Sequence, residues 1–568
     1  MALGAVAAVA IGCSRQSQPA PAATGVHRGG NLVVSIRSEP RTYNRFASRD
    51  PVTELVSLLT QAKLVRINRA TSEVEPWLAE RWTRSDDGLR YTLKLRQGIA
   101  FSDGQPFTAA DVLFSFRAVY DPKSPGPLAD SLMVGGKPLQ VSSPDPGTVV
   151  VTFPSPFAPG LRILDNLPIV PRHTLEAALD AGDFARAWAI GTPPGQIVGL
   201  GPFLVREYVA GQRLVFERNP HYWRKDASGT TLPYLDRVTL EIVPDQDAEL
   251  LRLEAGQIDM TETEIRPEDY APLKRAADQG RIKLLDLGVA YDADSFWINL
   301  KPGAFRTDPR SAWLQRDELR QAISMAVDRQ KFADTVFLGA GVPVYGPVTP
   351  ANKTWYSPDV PHTPYDPARA KTLLAAIGLT DRNGDGLLED ARGQPARFSL
   401  VTQKGKTALE RGAAVVRDDL KAIGLTVDVV ALDPSGLIQR ILSGNYDAMY
   451  YRVNTTDTDP AINPDFWFSS GSAHFWDMGQ KTPATDWERR IDAIMARQVA
   501  SPDPGERRRL FDEVQQIFAE HLPVVYFVAP RVLVATSSRV VNVTPALTVP
   551  QLLWAPDTIA VTGAPPAR

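Results

Sequence analysis

A single cysteine, Cys13, stands in the chain of 568 residues. One thiol can close no internal disulfide and cannot supply the ligands that a zinc site needs. The six histidines are scattered, without the His-Glu-x-x-His spacing or another paired-ligand spacing. The sequence therefore predicts neither a metal site nor a cofactor.

An excess of basic charge is also missing. Lys and Arg number 62 and Asp and Glu number 65, so the formal net charge is −3. Proteins that bind nucleic acids neutralise phosphates with a surplus of Lys and Arg. We therefore expect no nucleic acid partner. After the first residues, no run approaches the roughly 18 consecutive apolar residues of a membrane-spanning helix.

Motifs of common catalytic sites are absent or incomplete. No Gly-x-Ser-x-Gly elbow of an α/β-hydrolase occurs. The triplet Gly405-Lys-Thr407 resembles the end of a phosphate-binding loop, but Leu400 stands where that loop needs its first glycine. We therefore predict that the protein is not an enzyme. A secreted hydrolase, which needs a nucleophile and a base within hydrogen-bond reach, is the weaker alternative.

One acidic segment is similar to a calcium-binding loop. Asp381, Asn383, Asp385 and Gly386 match the start of an EF-hand loop. The twelfth position, where a bidentate Glu is required, is occupied by Arg392. We interpret the segment as a turn rich in Asp, Asn and Gly, with structural calcium as the alternative.

The first 30 residues have the pattern of an export signal followed by a tether. The start is apolar, and Ala10-Ile-Gly-Cys13 resembles a bacterial lipobox, in which the cysteine becomes the lipidated first residue of the mature protein. We predict a lipoprotein signal peptide with its lipobox at residues 1–13 and a Pro-rich tether at 14–30. Because no basic n-region precedes the apolar run, we expect translation to start upstream of Met1. The predicted location is the periplasm, with the protein anchored to a membrane through Cys13.

Helical and strand patterns alternate in the second half of the chain. Apolar residues recur at helical spacing over 317–338, and Asp366-Pro367 is a typical helix start. The predicted order after that is helix 366–378, strand 398–402, helix 408–423, strand 425–432, helix 434–443, strand 446–453, helices 487–499 and 506–521, and strands 523–529 and 531–535. Alternating strands and helices imply βαβ units, so we predict an α/β fold with a largely parallel sheet.

Three stretches carry a resemblance to a known family. They are Leu95-Arg-Gln-Gly-Ile-Ala-Phe-Ser-Asp-Gly-Gln-Pro-Phe-Thr-Ala-Ala-Asp-Val112, Gly201-Pro-Phe-Leu-Val-Arg-Glu-Tyr-Val209 with its continuation to Trp223, and Leu319-Arg-Gln-Ala-Ile-Ser-Met-Ala-Val-Asp-Arg329. In this order they resemble the extracellular solute-binding proteins of family 5, the oligopeptide-, dipeptide- and nickel-binding components of bacterial ABC importers. The resemblance implies a periplasmic-binding-protein type II fold.

The resemblance also implies two lobes joined by a two-crossing hinge, with an extra subdomain on the first lobe. We place the crossings near Ser295–Leu300 and Tyr526–Ala529. The expected boundaries are 31–60, 191–296 and 527–560 for lobe I, 61–190 for the inserted subdomain, and 297–526 for lobe II. Closure of such a hinge would bury a solute between the lobes.

The predicted strand Tyr446–Val453 is interpreted as one wall of a ligand cleft. In open α/β sheets, ligands bind beyond the carboxyl ends of the strands. Tyr450 and Arg452 share one face of this strand, so both are predicted ligand contacts. Arg452 is suited to hold a carboxylate, and a salt bridge between elements is its alternative role.

The loop after this strand supplies further predicted contacts. In the peptide-binding members of family 5, which this sequence resembles, an aspartate binds the ligand amine. That aspartate lies three residues before the acidic residue of an Asp/Glu-Pro pair. With Asp459-Pro460 as the anchor, Thr456 occupies that position and Asp457 follows it. We predict that Thr456, Asp457 and Asp459 contact the ligand, with a turn or helix-capping role as the alternative for the two aspartates.

Aromatic and amide side chains complete the predicted site. Trp467 follows the same loop near several serines, and its alternative place is the core. Tyr43 and Asn44 lie in the loop after the first predicted strand, again beyond a carboxyl end.

The sequence thus predicts a monomeric, lipid-anchored binding protein. The resemblance implies that it captures a peptide or peptide-like solute and delivers it to ABC permease subunits. Within binding, the alternatives are a nickel complex, an oligosaccharide or an opine.

Overall fold

The computed structural model describes residues 28–262, 264–453 and 459–563. The chain divides into two compact units. The first comprises Met1–Glu262, Thr536–Pro545 and Val549–Arg568, and the second comprises Thr263–Ala535 and Ala546–Thr548.

The first unit contains most of the strands of the N-terminal half. In chain order its elements up to residue 262 are β1 (Asn31–Ile36), α1 (Pro51–Thr60), β2 (Ala62–Lys63), β3 (Val65–Ile67), β4 (Val74–Pro76), β5 (Ala79–Arg84), β6 (Arg90–Leu95), α2 (Ala109–Val119), β7 (Met133–Val134), β8 (Lys137–Pro138), β9 (Gln140–Asp145), β10 (Thr148–Thr152), β11 (Pro168–Ile169), α3 (Arg172–Ala181), β12 (Phe203–Val209), β13 (Arg213–Arg218), β14 (Arg237–Ile242), α4 (Gln246–Glu254) and β15 (Met260–Thr261). Its larger sheet has the order β12-β13-β14-β1-β15, in which β1 runs parallel to both neighbours. A separate antiparallel sheet, β5-β6-β10-β9, forms from the segment predicted as an inserted subdomain.

The second unit has the elements α5 (Tyr270–Asp278), β16 (Ile282–Val289), β17 (Asp294–Ile298), α6 (Asp317–Ala326), α7 (Arg329–Val336), β18 (Gly341–Pro343), α8 (Pro367–Ala376), β19 (Arg397–Gln403), α9 (Thr407–Ala422), β20 (Thr426–Leu432), α10 (Pro434–Ser443), β21 (Ala448–Arg452), α11 (Pro464–Trp467), α12 (Asp486–Ala500), α13 (Pro504–His521) and β22 (Val524–Ser537). The last two residues of β22 belong to the first unit, to which β23 (Val540–Val541) and β24 (Ala560–Val561) also belong.

The sheet of the second unit is mixed, with the order β22-β17-β21-β19-β20. Strand β19 runs parallel to β20 and β21, whereas β17 runs antiparallel to β21 and β22. The prediction of a largely parallel sheet is therefore correct only for β19, β20 and β21, which are the strands joined by the crossover helices α9 and α10.

Unit boundaries differ from the expected lobe boundaries. The second unit comprises residues 263–535 and the short segment 546–548, so the segments expected as crossings, Ser295–Leu300 and Tyr526–Ala529, lie within that unit. The reason is the pairing of β17, which lies between β21 and β22 and is therefore an inner strand of the sheet.

Two stretches of the second unit are divided into elements differently from the prediction. The helix predicted over 317–338 is interrupted at Val327, whose backbone is extended, and Asp328 caps α7 by accepting from the N–H groups of Gln330 and Lys331. The two strands predicted at 523–529 and 531–535 are one strand, β22. Pro530 lacks an N–H, but its carbonyl accepts from the N–H of Ala290 at 2.8 Å, so the ladder continues past it.

Candidate functional site

A buried carboxylate, Asp294, is the centre of a polar cluster in the second unit. The antiparallel register of β17 and β21 sets Asp294 opposite Arg452. The Tyr450 hydroxyl donates to Oδ2 of Asp294 at 2.5 Å. Nε and Nη2 of Arg452 lie 2.7 and 2.6 Å from Oδ1. The strand face that Tyr450 and Arg452 were predicted to share is thus organised around one acceptor.

Arg452 is the accessible member of this cluster. Its side chain is 27% exposed, whereas Asp294 and Tyr450 are fully buried. Burial and the Asp294 carboxylate raise the pKa of the Tyr450 hydroxyl well above its usual value, so this group stays a donor. Burial opposes the charge of the Arg452 guanidinium, but Asp294 outweighs burial and raises the pKa of that group. The cluster therefore presents a fixed, charged guanidinium to the surface of the unit.

Asp459 and Trp467 lie in the interior of the second unit. Asp459 accepts from Nη1 and Nη2 of Arg507 at 2.9 and 2.6 Å and from the N–H of Ala461 at 2.9 Å. Trp467 is 1% exposed, and its ring centroid lies 5.0 Å from that of Phe511. These contacts fit the capping role considered for Asp459 and the core position considered for Trp467. A ligand role for either residue stays a prediction. Thr456 and Asp457 lie outside the described residues.

The loop with Tyr43 and Asn44, which was predicted to contact the ligand from the first unit, is buried and hydrogen-bonded to backbone groups. Tyr43 and Asn44 are each 2% exposed. Nδ2 of Asn44 donates to the carbonyl of Phe184 at 2.7 Å, and its Oδ1 accepts from the N–H of Phe46 at 3.1 Å. Burial raises the pKa of the Tyr43 hydroxyl to about 12. The contacts place both side chains inside the first unit, and their predicted ligand role stays a prediction.

Carboxylates gather at the carboxyl ends of β1 and β15 in the first unit. The Ser35 hydroxyl donates to the fully buried Glu249, which also lies 3.3 Å from Nη2 of Arg37. Glu262 follows β15, and its Oε2 is buried without a hydrogen-bond partner among the residues that the structure describes. Burial raises the pKa of Glu262 to about 8, the nearby Arg69 opposes this rise, and Glu249 adds to it.

Glu262→Gln is expected to stabilise the protein at alkaline pH. The pKa of Glu262 in the folded protein lies above the usual 4.5, so its contribution is complete below about pH 4.5 and is lost as pH rises through about 8. Glutamine keeps the shape without the buried charge, so the variant should exceed the parent by about 1–3 kcal/mol at pH 9. Urea denaturation at pH 5 and pH 9 measures the difference.

The control for this prediction is Glu520→Gln, because Glu520 is an exposed carboxylate. It should change the free energy of unfolding by less than about 0.5 kcal/mol at either pH. A difference between Glu262→Gln and the parent that is the same at pH 5 and pH 9 would contradict the burial of a charge at this position.

Asp294, Glu249 and Glu262 were not predicted as site residues. Each of them is an acid next to or within an apolar strand or helix pattern, where a buried charge needs a partner. For Asp294 that signal is readable, because it opens the run Asp294-Ser-Phe-Trp-Ile298. The partner, however, lies more than 150 residues away in the chain.

The first unit also encloses a small cavity next to a cluster of indole rings. Its volume is about 40 Å³, and its lining includes Gln61, Trp77, Trp554 and Asp557. The guanidinium of Arg66 stacks on Trp77 at 3.9 Å and lies 4.9 Å from the ring of Trp554. A cavity of this size holds a few water molecules and is too small for a peptide.

The acidic segment similar to a calcium loop forms a turn. Oδ1 and Oδ2 of Asp381 accept from the N–H groups of Gly384 and Gly386 at 2.7 and 2.9 Å. Asp385 accepts from the N–H of Leu387 at 2.8 Å. Over the described ranges, no three His, Cys, Asp or Glu side chains are grouped as a metal site. In the same part of the chain, no helix combines the length and the apolarity needed to cross a bilayer.

Comparison with known proteins decides the family. The sequence profile described as bacterial extracellular solute-binding proteins, family 5 Middle, matches residues 73–475. The chain belongs to this family. A probable ABC transporter-binding protein of Deinococcus radiodurans is 30% identical to this family 5 chain over 417 residues, which are 72% of the chain and 69% of that protein.

A second relative of this family 5 chain has both a sequence and a structural match. The oligopeptide-binding protein AppA of Bacillus subtilis is 27% identical over 524 residues, which are 89% of the chain and 87% of that protein. The structure of AppA in complex with a nonapeptide matches with a TM-score of 0.73 and 25% identity, and it covers 95% of the chain and all of AppA. The substrate-binding protein CtaP of Listeria monocytogenes, at 23% identity, matches with a TM-score of 0.76 over 94% of the chain and all of CtaP. The fold is that of type II periplasmic binding proteins, and the relatives named are binding proteins.

Proposed function

We propose that the protein is the substrate-binding component of an ABC importer and captures a peptide or a peptide-like solute for delivery to the permease. The observation that carries this proposal is the likeness to AppA, which extends over 89% of the chain in sequence and 95% in structure. Di- and tripeptide-binding protein 2 of Pseudomonas aeruginosa, 27% identical over 468 residues, supports the same solute class.

Arg452 is the side chain that we propose as a solute contact on the second unit. It combines a fixed charge with partial exposure, because Asp294, which also accepts from the Tyr450 hydroxyl, holds it from the buried side. A guanidinium held in this way can donate to a carboxylate or to a peptide carbonyl. Thr456 and Asp457, close after it in the chain, stay proposed contacts on the strength of the sequence pattern.

Function in this proposal is affinity without covalent chemistry. Isothermal titration calorimetry of the protein, freed of solute by unfolding and refolding, tests it with synthetic peptides of two, three, five and nine residues. We expect saturable binding of one peptide per chain. Binding of an α-galactoside, haem or a nickel–histidine complex with no binding of any peptide would overturn the peptide assignment but keep a binding function. Relatives with haem and α-galactoside binding in their names make the first two the appropriate comparisons.

We also propose that Cys13 carries a lipid anchor outside the cytoplasm and that residues 14–30 are its tether. The lipobox-like Ala10-Ile-Gly-Cys13 and the extracellular description of the family support this location. Cys13→Ser should abolish incorporation of a labelled fatty acid and move the protein from the membrane fraction to the soluble periplasmic fraction. Undiminished labelling of the Cys13→Ser variant would contradict the anchor.

A further inference from the structure

A leucine occupies the backbone conformation that usually ends a helix with glycine. Helix α7 ends at Val336, and the N–H groups of Phe337 and Gly339 donate to the same carbonyl, that of Ala333, at 3.0 and 3.2 Å. In this arrangement Leu338 takes the left-handed position, with φ of 52°. A side chain with a Cβ destabilises that conformation, which glycine adopts without strain.

Burial does not offset the strain at Leu338. Leu522, which ends α13 with φ of 45°, is 4% exposed, and Trp188, with φ of 58°, is 6% exposed. Both side chains contribute apolar burial that compensates for their backbone. Leu338 is 57% exposed, so the folded protein alone gains little from its side chain. Strain that the fold does not require is typical of functional positions.

The turn that contains Leu338 also places an aromatic ring next to the guanidinium of Arg452. The preceding residue, Phe337, is 1% exposed, and its ring centroid lies 5.8 Å from Cζ of Arg452. The N–H of Ala340 donates to the carbonyl of Phe337 at 2.8 Å, which keeps this turn compact. An exposed aliphatic side chain therefore lies one residue from the ring beside a partly exposed cation. A solute that contacts both the Leu338 side chain and the Arg452 guanidinium would carry an apolar group near a polar or anionic one.

We propose that Leu338 is a specificity-determining residue that contacts an apolar side chain of the captured peptide. This inference rests on the proposed peptide-binding function. In the complex, the Leu338 side chain would bury apolar surface against the peptide, which it cannot do in the free protein. It also predicts that stability and affinity respond in opposite directions when the side chain is removed.

The test is Leu338→Gly, compared with the parent for binding of Ala-Leu-Ala and Ala-Ser-Ala by calorimetry and for Tm in the absence of peptide. We expect Tm to rise by about 2–4 °C because the strain is relieved. Affinity for Ala-Leu-Ala should fall about tenfold, whereas affinity for Ala-Ser-Ala should change less than twofold. Asparagine also tolerates the left-handed conformation, so Leu338→Asn should likewise lose the preference for Ala-Leu-Ala over Ala-Ser-Ala.

The matched control is Leu522→Gly. It removes a leucine from the same conformation but from a buried place, so Tm should fall. If the parent binds peptides and Leu338→Gly keeps the parent's preference for Ala-Leu-Ala, the inference on Leu338 is overturned while the proposed function stands. If the parent binds neither these nor longer peptides, the proposed function itself fails. A fall in Tm for Leu338→Gly would refute the strain argument.

Discussion

Asp294→Ala is expected to lower the free energy of unfolding by about 3–5 kcal/mol. The carboxylate is fully buried and accepts from Tyr450 and from two nitrogens of Arg452. Its removal leaves the buried hydroxyl of Tyr450 and the partly exposed guanidinium of Arg452 without their acceptor. Urea denaturation followed by tryptophan fluorescence measures the loss.

An exposed ion pair of the same unit is the control for Asp294→Ala. Arg397 and Asp428 pair across two strands at 2.6 Å, but their side chains are 60% and 46% exposed. Asp428→Ala should therefore cost less than about 1 kcal/mol. If Asp294→Ala costs no more than Asp428→Ala, the cluster does not hold Arg452 in place, and the proposed role of Arg452 loses its support.

Asp459→Asn is expected to cost about 3–5 kcal/mol of stability. Asp459 and Arg507 are both buried and share two hydrogen bonds, so the variant leaves the Arg507 cation without its charge partner. A double-mutant cycle with Arg507→Met should recover part of this loss, because it removes the unpaired charge as well. Urea denaturation of the four proteins of the cycle gives the coupling energy.

The same variants distinguish the two roles that the sequence allows for Asp459. If Asp459 supports the fold alone, peptide affinity of the folded Asp459→Asn protein should equal that of the parent. A large loss of affinity with little loss of stability would instead assign Asp459 to the solute. Glu513→Gln, which removes an exposed partner of Arg490, serves as the control and should cost less than about 1 kcal/mol.

Local rules predicted the helices of the second unit well. Pro434–Ser443 is a helix with the predicted limits, because Asp433 accepts from the N–H of Gly436 at its start and Gly444 adopts a left-handed conformation at its end. Apolar periodicity failed where a polar residue inside the pattern could act as a cap. Asp328 lies within such a pattern, and the structure uses it to begin α7. Periodicity alone cannot decide between these uses.

Side-chain roles were harder to predict than elements. An arginine at the end of a strand gives the same sequence pattern whether it contacts a ligand or forms a salt bridge, so the sequence could not assign the role of Arg452. Its partner Asp294 becomes a neighbour only through the pairing of β17 with β21. Trp467 is similar, since an indole in a loop is suited to a ligand and to a core. Its contacts with Phe511 and Phe518 come from another helix. Long-range pairing therefore carries information that no local pattern contains.

Native mass spectrometry of the protein purified from its host tests the central claim, which is reversible capture of a solute without chemistry. The account predicts a non-covalent adduct with the mass of a peptide, which collisional activation releases intact and which synthetic peptide of the same sequence restores on the refolded protein. Release of fragments that the refolded protein produces from the intact peptide, or the absence of any adduct together with no binding of added peptides, would contradict it.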